Sequence, residues 1–139
     1  MRAATITHII PKELIDEIRS FINNYNKILI TTHLSPDGDA LGASLALYHY
    51  LFRRGKDVKL IVPNSFPYFL KWMKGTENVL VYEYNPEVGQ HLITNAELIF
   101  CLDFNVPKRI GKMASFVTAS NAKKILIDHH PILKIHVMW

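Results

Sequence analysis

An α/β domain built on a doubly wound parallel sheet of five strands is the fold this sequence predicts. Three observations carry the prediction. Short apolar, β-branched runs recur along the chain, as fully buried parallel strands require. Segments with helical spacing of apolar residues separate them, the alternation expected of a parallel α/β sheet. Polar, metal-competent residues follow three of the runs, where open parallel sheets bind ligands.

The elements follow in order. Residues 11–25, PKELIDEIRSFINNY, open with Pro11 and place Leu14, Ile15, Ile18, Phe21 and Ile22 at helical spacing, predicting an amphipathic helix. KILITTH is the first strand, closed by the turn LSPDGD. Ala40 to Arg54 is helical again and Gly55 ends it. DVKLIVP is the second strand, FPYFLKWM a short helix or turn, and NVLVY the third strand. Residues 86–95 are helix or loop, and ELIFCLD is the fourth strand. PKRIGKMASFVTAS reads as a helix with Pro107 at its start, and AKKILID is the fifth strand. The ligand-bearing strands 1, 4 and 5 should be neighbours, which favours the order 3-2-1-4-5 with the site at the switch between strands 1 and 4.

The 139 residues suit one domain, read as residues 1–139. After Asp128 the sequence ends on HHPILKIHVMW, an apolar stretch that resembles the start of another strand. The expectation is therefore a domain cut short at its C-terminal end. No apolar run approaches the roughly 20 residues of a membrane helix, and MRAATITHIIPKEL does not read as a secretory signal. Cys101 is the single cysteine and lies in an apolar run, so a buried thiol and a cytoplasmic location are expected. The net charge of +4 is mild and the lysines are scattered, which agrees with an anionic substrate and gives no sign of a dense nucleic-acid stripe.

His33, Asp37 and Asp39 follow the first strand, Asp103 ends the fourth, and Asp128, His129 and His130 end the fifth. Four of the six aspartates and three of the seven histidines thus fall on one edge of the sheet. Taken singly, each has an ordinary explanation as a helix cap, turn former or surface residue. Together, delivered by separate strands, they point to metal. Mixed Asp and His ligands suit a borderline divalent ion such as Mn²⁺. Asp37 and Asp39 can address neighbouring ions, and Asp103 has two oxygens with which to bridge them. Two ions about 3.5–4 Å apart would clamp a phosphate and activate a water.

Other residues carry less. His8, His49, His91 and His136 have no carboxylates grouped with them, and Arg53 and Arg54 serve a helix end and solvent. Phe66, Tyr68, Phe69 and Trp72 have helical spacing, so core packing is expected, with base stacking the weaker reading.

The motifs resemble those of the DHH phosphoesterase family. THLSPDGDALGASLAL at 32–47 is similar to its first motif, LDFN at 102–105 to its second, and DHHP at 128–131 to its third. The resemblance spans Lys27 to Pro131. It implies a first ion held by His33, Asp37 and Asp103, and a second by Asp39, Asp103 and His129. It gives His130 a contact with the substrate phosphate or leaving oxygen, and Asp128 the task of orienting a histidine. Asp103, His129 and His130 are thereby the candidate catalytic residues. Two Mn²⁺ are implied, with Mg²⁺ as a substitute. Within the family the stretches look closest to the oligoribonuclease and 3′-phosphoadenosine 5′-phosphate (pAp) phosphatase branch. Its substrates are short RNA, pAp or the linear products of cyclic dinucleotides, and a homodimer is implied for the intact protein. The family's fourth motif, with a further aspartate, and its second, Gly-rich domain have no counterpart here, and residues 129–139 hold no Asp or Glu. Two other expectations stand beside this one: a family II inorganic pyrophosphatase-like enzyme, or a catalytically incomplete fragment that only folds or associates through its apolar tail from Ile132 to Trp139.

Overall fold

A computed structural model of the chain describes residues 10–129 and 134–138. Helix α1, Lys12–Asn24, starts directly after Pro11, and the chain turns extended at Tyr25. Strand β1, Lys27–Thr32, leads through a short loop to helix α2, Gly38–Arg53, whose first turn is capped by the Asp37 carboxylate accepting from the Ala40 N–H at 2.8 Å. Gly55, at φ 78°, turns the chain after α2 into β2, Asp57–Val62. The short strand β3, Val79–Val81, is followed by helix α3, Pro86–Asn95, with Pro86 in its first turn. Strand β4, Leu98–Leu102, helix α4, Ala114–Ala119, and strand β5, Lys123–Asp128, complete the alternation. The last element is β6, Lys134–Met138.

The sheet order is β3-β2-β1-β4-β5-β6. Strands β1 to β5 are parallel, in the order the sequence predicts. The expectation of five strands is corrected to six: β6 runs antiparallel to β5, pairing Asp128 with Lys134 and Lys124 with Met138. Only residues 129–133 separate the two strands, too few for the crossover that a parallel pair needs, so the chain can only double back.

Alternate residues of the strands feed two cores. Ile28, Ile30, Leu60, Leu98, Phe100 and Ile125 pack with Leu41, Leu45 and Leu51 of α2. Leu29, Ile61, Ile99, Cys101 and Leu126 face the other way, onto Ile93 of α3 and Val117 of α4. At the opposite end of the sheet from the strand-end acids, the Glu97 carboxylate accepts from the N–H groups of Lys27 (2.8 Å) and Asn26 (3.1 Å), joining the starts of β1 and β4. Those backbone hydrogen bonds, that from Lys27 first, hold its carboxyl below the usual glutamate range. Among the described residues no helix is long and apolar enough to cross a membrane.

Two further expectations are corrected. The segment from Pro107 is not one helix: a 3-10 stretch Pro107–Met113 precedes α4, and Gly111, at φ 57° and ψ −130°, kinks the path inside that stretch. A Cβ there would also meet the Leu34 side chain at 3.3 Å, so the break lets this segment lie against the loop after β1. The aromatic segment does not fill a core. Tyr68, Phe69 and Trp72 are 81%, 73% and 77% exposed, and only Phe66 packs partly against the core. The chain makes a single 3-10 turn, Tyr68–Leu70, within the short helix or turn expected for FPYFLKWM, and Leu70 is the residue it buries.

Cys101 is buried as expected, and burial pushes its thiol up to about 12. Thiolate is therefore scarce at neutral pH. A thiol reagent at pH 8 is expected to leave the native chain unmodified and to label one thiol per chain in urea. Prompt labelling of the native chain would contradict this burial. The raised thiol favours the folded state fully below the ordinary value of 9.0, and that contribution is lost as pH climbs toward 12.

Candidate metal centre

The site is assembled by the carboxyl ends of β1, β4 and β5. After β1, Thr32 is buried and its hydroxyl donates to the Leu102 carbonyl at 2.8 Å, tying the ends of β1 and β4 together. His33 follows and is buried. Its Nδ1 stands 2.7 Å from the Leu34 carbonyl oxygen, which only accepts, so Nδ1 carries the proton. In the neutral imidazole Nε2 then holds the lone pair, and Nε2 faces the Asp103 Oδ2 at 3.4 Å.

The loop that carries Asp37 is fixed on both sides. The Leu34 N–H donates to the Arg109 carbonyl at 2.7 Å, in the segment that Gly111 breaks. Ser35, at φ 51°, donates its N–H to the Asn64 side-chain oxygen at 2.6 Å, and the Asn64 amide returns a bond to the Ser35 hydroxyl at 3.3 Å. One Asp37 oxygen caps α2, and Asp39, in the first turn of the same helix, is exposed.

Asp103 is buried and sits in the left-handed region at φ 65°, a conformation that costs non-glycine residues energy and that aspartate tolerates better than most. Its N–H continues the ladder to the Ile127 carbonyl at 2.9 Å. The backbone therefore turns sharply at the strand end while staying bonded to β5, which fixes where the carboxylate lies. Its Oδ1 is 2.9 Å from His129 Nε2, and its Oδ2 faces His33. His129 Nε2 also stands 2.8 Å from the Asp39 Oδ2.

Two donor triads result: His33, Asp37 and Asp103, and Asp39, Asp103 and His129, with the ligand atoms in each all within 4.8 Å of one another. Ligands held about 2.1 Å from one ion in octahedral geometry stand about 3 Å apart, so these spacings fit a divalent cation in each triad. The donor chemistry agrees: three carboxylates and two imidazoles gather in two triads that share Asp103, and carboxylates grouped in this way are stable together when cations lie among them.

Every candidate ligand expected from the sequence is thus brought to one edge. Asp128 is buried at the end of β5, next to His129. His130 and Pro131 lie outside the described residues, as do Ile132, Leu133, Trp139 and His8. His49 is drawn away from the site, bonded through Nε2 to the Lys74 carbonyl at 2.8 Å. The sequence reading missed the supporting residues Thr32, Ser35 and Asn64. Asn64 had a legible signal, a polar residue just past the end of a buried strand; Thr32 had none, since a threonine in a strand is ordinary.

Known proteins resemble the chain over most of its length. The family described as DHH family, N-terminal domain, matches residues 27–137. The chain is 29% identical over 123 residues to the bifunctional oligoribonuclease and PAP phosphatase NrnA of Mycoplasma genitalium, covering 86% of this chain and 35% of that protein. It is 36% identical over 105 residues to the protein of the same name from Thermus thermophilus, covering 74% of this chain and 28% of that one. Among solved structures, an exopolyphosphatase-related protein from Bacteroides fragilis superimposes with a TM-score of 0.87 at 48% identity, over 90% of this chain and 37% of that one. The chain spans about a third of the length of these relatives.

Proposed function

This chain belongs to the DHH family, and from that premise we propose that it supplies the metal-binding part of a phosphoesterase acting on short oligoribonucleotides, pAp or linear dinucleotides. The observation that carries the reading is the position of Asp103, whose two oxygens face different histidines and which belongs to both donor triads. His33, Asp37 and Asp103 would hold one ion, and Asp39, Asp103 and His129 a second. Manganese suits this mixed set of oxygen and nitrogen donors, and magnesium is its natural substitute. When bound, such a pair supplies a nucleophile from water at neutral pH and offsets the charge that builds on the phosphate.

The protein's own contribution is to hold the ligands before the substrate arrives. The Leu34 carbonyl fixes the His33 tautomer so that Nε2 presents its lone pair. The β4–β5 ladder fixes the Asp103 backbone, and the Asp37 cap anchors the acidic turn to α2. We assign His130 to the leaving oxygen of the substrate and Asp128 to the orientation of the adjacent histidine. The same reading takes the protein as cytoplasmic and as a homodimer when intact.

Two relatives named for oligoribonuclease and PAP phosphatase activity support the choice of a nucleotide substrate. A second reading draws on the likeness to the exopolyphosphatase-related protein: cleavage of phosphoanhydrides, as in an inorganic pyrophosphatase. Phosphate or nucleotide release by the Mn²⁺-loaded chain from pApA, pAp, pyrophosphate and polyphosphate separates them. Hydrolysis of pApA and pAp at least about tenfold faster than of the anhydrides is expected, a preference of roughly 1.4 kcal/mol in the barrier. The reverse order would transfer the assignment to the second reading.

A further inference from the structure

The exposed aromatic turn that fails to pack in the core lies at the same edge of the sheet as the metal centre. Leu70 of this turn comes within 3.7 Å of the position a Cβ would take on Gly38, and Gly38 separates Asp37 from Asp39. The turn is therefore packed against the acidic start of α2. Beside it opens a cavity of about 550 Å³, bounded by Phe66, Tyr68, Lys71, β3 and Tyr84. Tyr68 and Tyr84 reach it from two different loops, after β2 and after β3, and are 81% and 72% exposed. The Lys71 ammonium stands 5.0 Å from the centre of the Tyr68 ring. Lys71 is the one charged group lining the cavity, and no carboxylate lines it among the described residues.

We propose that Tyr68, Tyr84 and Lys71 form a stacking subsite for a nucleobase of a short single-stranded oligonucleotide, another of whose phosphates lies at the metal centre. Three physical features select this occupant. Two exposed rings beside a cavity match flat aromatic bases, which stack on such rings whatever their sequence. The lone cation and the absence of acids suit a ligand that carries phosphates. Adjacent strands lie about 4.8 Å apart, so across the sheet β3 is about 10 Å from β1 and roughly 14 Å from β4, whose ends carry metal ligands, a span that a short oligonucleotide can bridge. The inference rests on the phosphoesterase reading, and it goes further by naming where substrate outside the reacting group is held.

The test is direct binding, which is independent of turnover. Fluorescein-labelled pentaadenylate with phosphorothioate linkages is titrated into the chain, in parallel with an abasic pentamer of the same linkage. Tyr68→Ala and Tyr84→Ala are each expected to weaken binding of pentaadenylate by about tenfold and to leave the abasic pentamer unchanged, while Tyr68→Trp retains affinity. Lys71→Ala is expected to weaken both ligands, because its charge meets the phosphate chain. Both tyrosines are exposed, so the variants should melt at the wild-type temperature. Equal affinity of the wild-type chain for the two pentamers, or tyrosine variants that bind pentaadenylate as tightly as wild type, would overturn the subsite. Failure of the phosphoesterase reading would appear separately, as no metal-dependent hydrolysis of pApA by the wild-type chain.

Discussion

Asp103→Asn is expected to lower metal-dependent hydrolysis of pApA by about 10³-fold, equivalent to roughly 4 kcal/mol of lost transition-state stabilisation. The size follows from the residue's place in both triads. Removing Asp39 weakens one ion site, whereas removing the Asp103 carboxylate weakens both, since its Oδ1 and Oδ2 face opposite histidines. Asparagine is the informative substitution because it keeps the shape and tolerates the positive φ, so strain at 65° is not added to the loss of ligand. Alanine would remove the carboxylate and increase the backbone strain, mixing two effects. Values of kcat/KM against Mn²⁺ concentration give the result, with a thermal melt to establish that the variant is folded. A loss of less than about tenfold would mean that Asp103 is not a shared ligand.

Phe100→Ala is expected to destabilise the chain by about 3–5 kcal/mol. Phe100 is 2% exposed in the middle of β4, between β1 and β5, and its ring faces the core beneath α2. Neighbours on both flanking strands are held by ladder hydrogen bonds and cannot close over the cavity. Against a typical stability of about 5–15 kcal/mol the loss is large, and a melting temperature lower by roughly 10–15 °C is expected. Urea denaturation followed by circular dichroism measures it. Because Asp103 directly follows β4, the same variant should also bind Mn²⁺ less firmly. A wild-type urea midpoint would show that the β4 core contributes less than its burial implies.

The sheet order was legible because the ligand-bearing residues had to meet. His33, Asp103 and His129 are far apart in sequence, and only an order that makes β1, β4 and β5 neighbours brings them together. The polarity of β6 was not legible in the apolar pattern alone, since a buried run looks the same in either direction; it follows from the short connection before Lys134. The aromatic segment misled for a different reason. Helical spacing at Phe66, Phe69 and Trp72 signals a buried face only if a helix forms, and here one 3-10 turn buries Leu70 and leaves three rings in solvent. Gly111 was equally silent. A glycine inside a helical pattern is tolerated, and nothing local announces that its backbone turns to positive φ to meet Leu34. The ligands were thus readable as residue types at strand ends, while the bonds from Thr32 and Asn64 that hold their loops depend on contacts between segments far apart in sequence.

Electron paramagnetic resonance of the chain loaded with Mn²⁺ tests the shared Asp103 carboxylate most directly. Two ions bridged by one carboxylate should give the broadened signal of a coupled pair, and Asp103→Asn should lose that signal. A spectrum of isolated, uncoupled Mn²⁺ in the wild-type chain, unchanged by the substitution, would contradict the account.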